Sequence, residues 1–513
     1  MTKIAFDARQ VREALARLPD VAAQESLEPP ALQHLYLPIG HQQALGLDAG
    51  IVVGMRGAGK SVWTAVLSSN FHRAFIATLA DNKALASAKV RVGFGLDSSN
   101  THFPSEQVIA SIVQSGVDPF AIWHTVVLRH AETALGKPDR FSGEWLAAAR
   151  AVAARPQDAE AALTECDREL AAKGAVLLVL FDALERVAQD WPRVRLLLSG
   201  ALRFALACRT RQSIRMKFFL RPEMEEDSEI WKFADSSKLK HGRVELTWRT
   251  TDLYALVLTH LLNDTNAGTH FQMKLLELPG IQWLTAEFFE RILMSFFRAA
   301  GFAGPEGARL DLVRPLPRSL VDNEGLLQAV VEGITGPFMG RNRRRGLSYS
   351  WIPTHLADAA GRVSPRSLLL GFKHAAGITA REYPNHELPL RYEAIQRGIV
   401  EASRVRVDEI KEDYPWVWPL LEAARGLKVP CTAAELTERW TPAQIREMRS
   451  TSAKLPPRRF TTDPIRTGQP DALIDDLVEL AILYRTSDNR LNMPDIFRVG
   501  FGIKRKGGVK PPR

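Results

Sequence analysis

Cysteine is scarce in this chain: Cys166, Cys208 and Cys431 are the only three in 513 residues, odd in number and far apart. They form neither a disulfide framework nor a C-x-x-C zinc pair. Long apolar runs are also missing. The longest uninterrupted one, Ala175 to Phe181, falls far short of the ~20 residues that cross a bilayer. The opening Met1-Thr2-Lys3-Ile4-Ala5-Phe6-Asp7 lacks the apolar core of a signal peptide. These absences predict a cytoplasmic protein with no membrane partner. The histidines show no metal-ligand spacing, and no nuclease, protease or deaminase motif is found, so any such effector would be a separate protein.

What remains is ordinary globular material, 46% hydrophobic and 24% charged, enough for two to four domains. The net charge of +9 has a location. Arg341, Arg343, Arg344 and Arg345 form one run and Lys504, Arg505, Lys506, Lys510 and Arg513 another, with no acid inside either. The rest of the chain is balanced, so a contact with DNA or an acidic partner is expected at these two places.

The most specific motif is Gly54-Met55-Arg56-Gly57-Ala58-Gly59-Lys60-Ser61, which fits G-x-x-x-x-G-K-[ST] and follows the apolar Ile51-Val52-Val53. A strand delivering such a loop into a helix predicts a phosphate-binding site. Backbone N–H groups of Gly54, Arg56, Gly57, Ala58, Gly59 and Val62 would surround phosphate oxygens, and the helix would point its positive end at them. Lys60 is expected to reach the β- and γ-phosphates and Ser61 to hold Mg²⁺. Val62, Trp63, Val66 and Leu67 give the helix one apolar stripe.

A second motif, Ala175 to Phe181 followed by Asp182-Ala183-Leu184-Glu185-Arg186, is a strand buried on both faces that ends in acids. Asp182 is the candidate to hold the hydration shell of Mg²⁺ beside Ser61, and Glu185 the candidate to orient the attacking water. The alternative is a pair of acids that simply favour the start of a helix. Ile214 to Leu220 reads as a further strand closed by Arg221 and Pro222. Arg221 would either meet the γ-phosphate or pair with Glu223, Glu225 or Glu226.

In chain order, residues 1–45 read as a helical lead-in and 46–265 as the core, with a helical insertion at about 101–172. Residues 266–385 read as a helical lid, 386–465 as a helical linker and 466–513 as a winged-helix-like domain with a basic tail. Ala74-Phe75-Ile76-Ala77 and Val90 to Gly93 are candidate strands, Arg243 to Trp248 another, and Thr250 or Thr251 opens a capped helix with Asp252 in its first turn. Phe288, Phe289, Ile292, Leu293, Phe296 and Phe297 form an apolar face, and Gly301 to Pro317 a connector. Tyr349 and Trp351 beside the arginine run would permit stacking on single-stranded nucleic acid. In the last segment, a helix at Ala472 to Ala481 precedes two short strands joined at Ser487-Asp488-Asn489, and Pro494 opens a short helix. No helix there carries the Arg/Asn/Gln cluster of a base reader.

The phosphate loop, the F-D-A-L-E-R ending, the F-F-L-R-P-E segment and L-T-W-R-T-T-D-L-Y, in that order, resemble STAND-type P-loop ATPases of the KAP and NACHT-like bacterial groups. The likeness covers about residues 45 to 265. It implies an α/β P-loop NTPase core with a mostly parallel sheet, a helical lid, and ATP and Mg²⁺ as ligands. It also implies a switch, used in bacterial signalling or antiviral defence, that passes between compact and open or homo-oligomeric forms and controls a separate effector. In related ATPases an arginine of the lid completes the nucleotide site, which points to Arg366. Ala183 stands where AAA+ proteins place the second acid, and Arg186 where NACHT proteins often have another. Both departures imply slow hydrolysis. Two other functions stay open on the same residues: a DNA-handling ATPase similar to replication initiators, and an ATP-binding scaffold with little turnover.

Overall fold

The computed structural model describes residues 4–19, 28–97, 100–283, 291–295, 298, 313–451, 455–462 and 468–507. Most of the expected 288–297 apolar face, most of the 301–317 connector, and Lys510 and Arg513 lie outside the described residues. The chain forms two compact units. One comprises Glu25–Thr247 with Thr285–Asp311, and the other Met1–Gln24, Trp248–Leu284 and Leu312–Arg513.

The first unit is built on a five-stranded sheet of β1 (Ile51–Val53), β2 (Lys89–Phe94), β3 (Leu177–Phe181), β4 (Ile214–Leu220) and β5 (Val244–Glu245), in the order β2-β3-β4-β1-β5. Every pairing is parallel. Parallel strands need crossover connections that cover both faces, which is why β1 and β3 are apolar and buried at every residue. This is the α/β architecture of a P-loop nucleotide-binding fold. Four helices fill the interval between β2 and β3: Glu106–Gln114, Pro119–Leu135, Trp145–Ala154 and Pro156–Ala172. Trp123, on the second of them, donates its indole N–H to Leu197 O at 2.9 Å and sets its ring edge-on to Phe181 of β3.

One expected strand is a helix. Ala74 to Ala77 lies within Asn70–Leu79, whose N-terminus is capped by the Ser69 hydroxyl, accepting from the His72 N–H. The four-residue apolar run had no period of its own, and all four side chains are buried.

The second unit is helical. Its closest helix pair, Pro365–Glu382 and Tyr392–Asp413, meets where Gly398 abuts Gly371. A Cβ on Gly398 would stand 2.2 Å from Gly371 O, and that atom is backbone. Gly398→Ala is therefore expected to push the helices apart and destabilise the unit by about 2 kcal/mol, read as a lowered urea midpoint at unchanged slope. Helix Thr250–Leu262 belongs to this unit rather than to the sheet. No side chain caps it, and Asp252 is bonded instead to Arg249 at 2.7 Å. Toward the C-terminus, β6 (Lys428–Val429) pairs in parallel with a strand at Lys504–Arg505, while β7 (Tyr484–Arg485) and β8 (Leu491–Asn492) form a hairpin after helix Pro470–Glu479. No helix among the described residues is long and apolar enough to cross a membrane.

Candidate nucleotide site

The strand order puts β3, β4 and β1 side by side, so their carboxyl ends open onto one edge, where ligands of parallel sheets bind. The phosphate loop leaves β1 there. Gly54 is anchored by its N–H to Leu220 O at 3.0 Å, and Ala58 N–H returns to Met55 O at 3.1 Å. Gly57 and Gly59 adopt φ of 81° and 103°, a region costly for any residue with a Cβ. Helix Lys60–Ser68 starts directly after Gly59 with no side-chain cap, so its first-turn N–H groups face the loop. Arg56 and Val62 are half-buried. The helix is pinned from behind by Trp63, whose indole N–H donates to His41 Nδ1 at 3.0 Å.

At this loop the structure gathers five of the expected side chains and one more. Lys60 Nζ donates to Gly54 O at 2.7 Å and Met55 O at 3.0 Å. Burial and the nearby Arg221 push this ammonium below its ordinary pKa, while Glu185, Asp182 and Glu223 pull it up. Asp182, 2% exposed at the end of β3, has the Ser61 hydroxyl close enough to favour its charged form. Burial, and then Glu185, raise its carboxyl above the usual range, against Ser61 and Lys60. Ser61 and Asp182 thus present two adjacent hard oxygen donors, a set that fits Mg²⁺. Glu223 is the addition. Sequence reasoning had weighed it only as a partner for Arg221, and the two stand 4.0 Å apart.

Arg221, at the end of β4, bonds Glu185 at 2.6 Å, and both side chains are largely buried. Glu225, one of its expected partners, is engaged by Arg243 at 3.0 Å and Lys240 at 3.5 Å instead. The bond to Glu185 was not legible because the two residues lie 36 positions apart and meet only through the strand order. Ala183 takes φ of 52°, turning the chain sharply between Asp182 and the short helix that carries Glu185. The neighbouring Arg186 is exposed.

Arg366 is in the helical unit, where its guanidinium bonds Glu409 at 2.6 Å and Arg406 shares the same carboxylate at 2.8 Å. Arg341, Arg343, Arg344 and Arg345 are in that unit too, exposed, with Arg343–Arg345 in one short helical turn. Their aromatic neighbours are each engaged on one side. Tyr349 is buried against Tyr254 at 4.9 Å, and Trp351 stacks on His355 at 3.7 Å. Lys504 is exposed, while Arg505 bonds Asp495 at 3.0 Å and Lys506 lies 4.0 Å from Glu435.

No protein-family model and no curated protein matches the chain. Among solved structures it is similar to the ORC2 protein of Aeropyrum pernix in its ADPNP–ADP complexes, at 11% identity over 96% of each chain with a TM-score of 0.38. It is also similar to Cdc6p of Pyrobaculum aerophilum, at 11% identity over 94% of this chain and 95% of that one, with a TM-score of 0.31.

Proposed function

We propose that the chain binds a Mg²⁺–nucleoside triphosphate, ATP by its sequence resemblance, and hydrolyses it slowly as a regulatory switch. The observation that carries this is the joint placement of Lys60, Ser61, Asp182, Glu185 and Arg221 at the ends of three adjacent parallel strands. The loop N–H groups and Lys60 would hold the phosphates, and Ser61 and Asp182 would hold the metal ion. Mg²⁺, when bound, neutralises phosphate charge. Glu185 would orient the attacking water, with little covalent chemistry asked of the protein.

Slow turnover is supported by the Arg221–Glu185 bond. A carboxylate oxygen already accepting from a guanidinium is a poorer acceptor for a water proton. A γ-phosphate is a competing anion for Arg221, so the triphosphate itself would draw the arginine away and release Glu185. That gives the switch two arrangements of one ion pair, biased by the ligand. The downstream role, control of a separate effector in bacterial signalling or defence with a change in oligomeric form, is supported by the STAND-like motifs.

Binding of a fluorescent ATP analogue and release of labelled phosphate test this. Glu185→Gln is expected to keep affinity within about threefold and to cut turnover by about tenfold to a hundredfold. Equal turnover in the variant and the parent chain would remove Glu185 from the reaction, and absence of nucleotide binding by the parent would end the proposal.

A further inference from the structure

The two basic runs have different fates, and the difference identifies a surface. In the C-terminal region two of the three described cations of the run have an acid beside them, and Lys504 is exposed. Arg505 and Lys506 face Asp495 and Glu435. Helix Pro470–Glu479, the one placed to enter a groove if this region is a winged helix, carries Asp475 against Arg485 at 2.8 Å and Glu479 against Arg458 and Arg459. An acidic helix face is repelled by phosphate. Arg341, Arg343, Arg344 and Arg345 are the opposite case. All four are exposed, and among the described residues none is bonded to a carboxylate.

These arginines stand on a tied base. Met339 N–H donates to Gly346 O at 3.0 Å, Ser348 N–H to Pro337 O at 3.1 Å, and Phe338 bridges Leu347 in antiparallel register. Below them the buried Thr335 hydroxyl donates to that of Ser348 at 3.0 Å. The Asn342 side chain accepts from the Arg344 N–H at 3.1 Å and fixes the turn.

We infer that the Arg341–Arg345 loop is a binding surface for the phosphate backbone of duplex nucleic acid. In a turn with about three residues per revolution, successive side chains leave roughly 120° apart. Arg343, Arg344 and Arg345, all exposed, therefore leave the turn in different directions, the Arg345 stem running beside Gly340, and can meet more than one phosphate. Guanidinium forks match phosphate oxygens bidentately. Single-strand recognition would need open aromatic faces, and here Tyr349 is buried and one face of Trp351 is taken by His355. Adenine reading would need a free amide, and the oxygen of Asn342 is engaged in the turn. The proposed surface acts through phosphate charge, and it does not rest on the nucleotide reading.

The test is fluorescence anisotropy of the full chain with a short labelled duplex of mixed sequence, between about 50 and 200 mM salt. The expected log–log salt slope is about −3 to −4, that of four neutralised phosphates. Replacing Arg341, Arg343, Arg344 and Arg345 together by alanine should weaken binding at least about tenfold and flatten that slope. The same four changed to lysine keep the charge but lose the forks, so they should keep the salt slope of the parent while binding more tightly than the alanine variant, which separates charge from folding. Lys504→Ala with Lys506→Ala should change affinity by less than about twofold. The inference is overturned by any of four results: no duplex binding at low salt, unchanged binding by the alanine variant, tighter binding of single strand than duplex, or equal binding of polyglutamate.

Discussion

Lys60→Ala is expected to lower affinity for Mg-ATP at least about a hundredfold, or about 3 kcal/mol. In the structure the ammonium lies against its own loop, donating to Gly54 O and Met55 O, which places the charge inside the arc that would receive a phosphate. Burial and Arg221 already press it toward losing its proton. A triphosphate adds negative charge beside it and reverses that pressure, so a large part of the binding energy is electrostatic relief at this one group. Alanine removes that term and leaves Arg221 facing Asp182, Glu185 and Glu223. Asp182 should then rise further above the usual carboxylate range, since Lys60 is one of the groups holding it down. Titration calorimetry reads the affinity, and circular dichroism confirms that the variant is folded. Undiminished affinity in a folded variant would place the nucleotide elsewhere.

The parts of the site that the sequence revealed share one property: their signal is local. The phosphate loop is eight consecutive residues whose glycines and lysine are each demanded by the backbone path, and β3 with Asp182 is an unbroken apolar run ending in an acid. Partners set by the strand order were hidden. Nothing near Arg221 names Glu185, because β4 lies beside β3 only in the folded sheet. Arg12 reads as a polar position on the first helix, yet its guanidinium donates to the carbonyls of Pro384, His386, Leu388 and Pro389, more than 370 residues away. The bond of Arg366 to Glu409 was hidden for the same reason, since the helix supplying that acid follows a turn whose geometry no short window encodes. Charge runs misled in the other direction. The two basic runs look equivalent as strings, but antiparallel and parallel pairings near the C-terminus bring acids to one and not to the other.

Lys217 is the clearest case of a residue whose role inverts on folding, and replacing it should have the largest effect on stability. The alternation of Arg215 and Lys217 with apolar neighbours suggests a strand with one wet face, but Lys217 is 0% exposed. Its Nζ donates to Ala44 O at 2.6 Å, Gly46 O at 2.9 Å and Ala49 O at 2.6 Å. These carbonyls belong to the end of helix Ile39–Leu45 and the connector into β1, so three donors of one ammonium meet the orphaned acceptors of a helix C-terminus. Lys217→Met keeps the stem and deletes the donors, which should cost about 4 kcal/mol and lower Tm by roughly 8–16 °C. Because the connector feeds the phosphate loop, nucleotide binding and this clasp act on the same folded state. Mg-ATP at about a hundred times Kd should therefore return about 2.7 kcal/mol of the loss. A pH series adds a second test. Burial pushes Lys217 from 10.5 down to about 7, so above pH 7 the folded chain sheds a proton that the unfolded chain keeps until about 10.5. The cost of the buried charge is full well below pH 7 and is relieved as pH rises, by about 2 kcal/mol between pH 7 and pH 9. The stability difference between the parent and Lys217→Met should widen across that interval. A constant difference would mean that the three carbonyls hold the ammonium charged throughout.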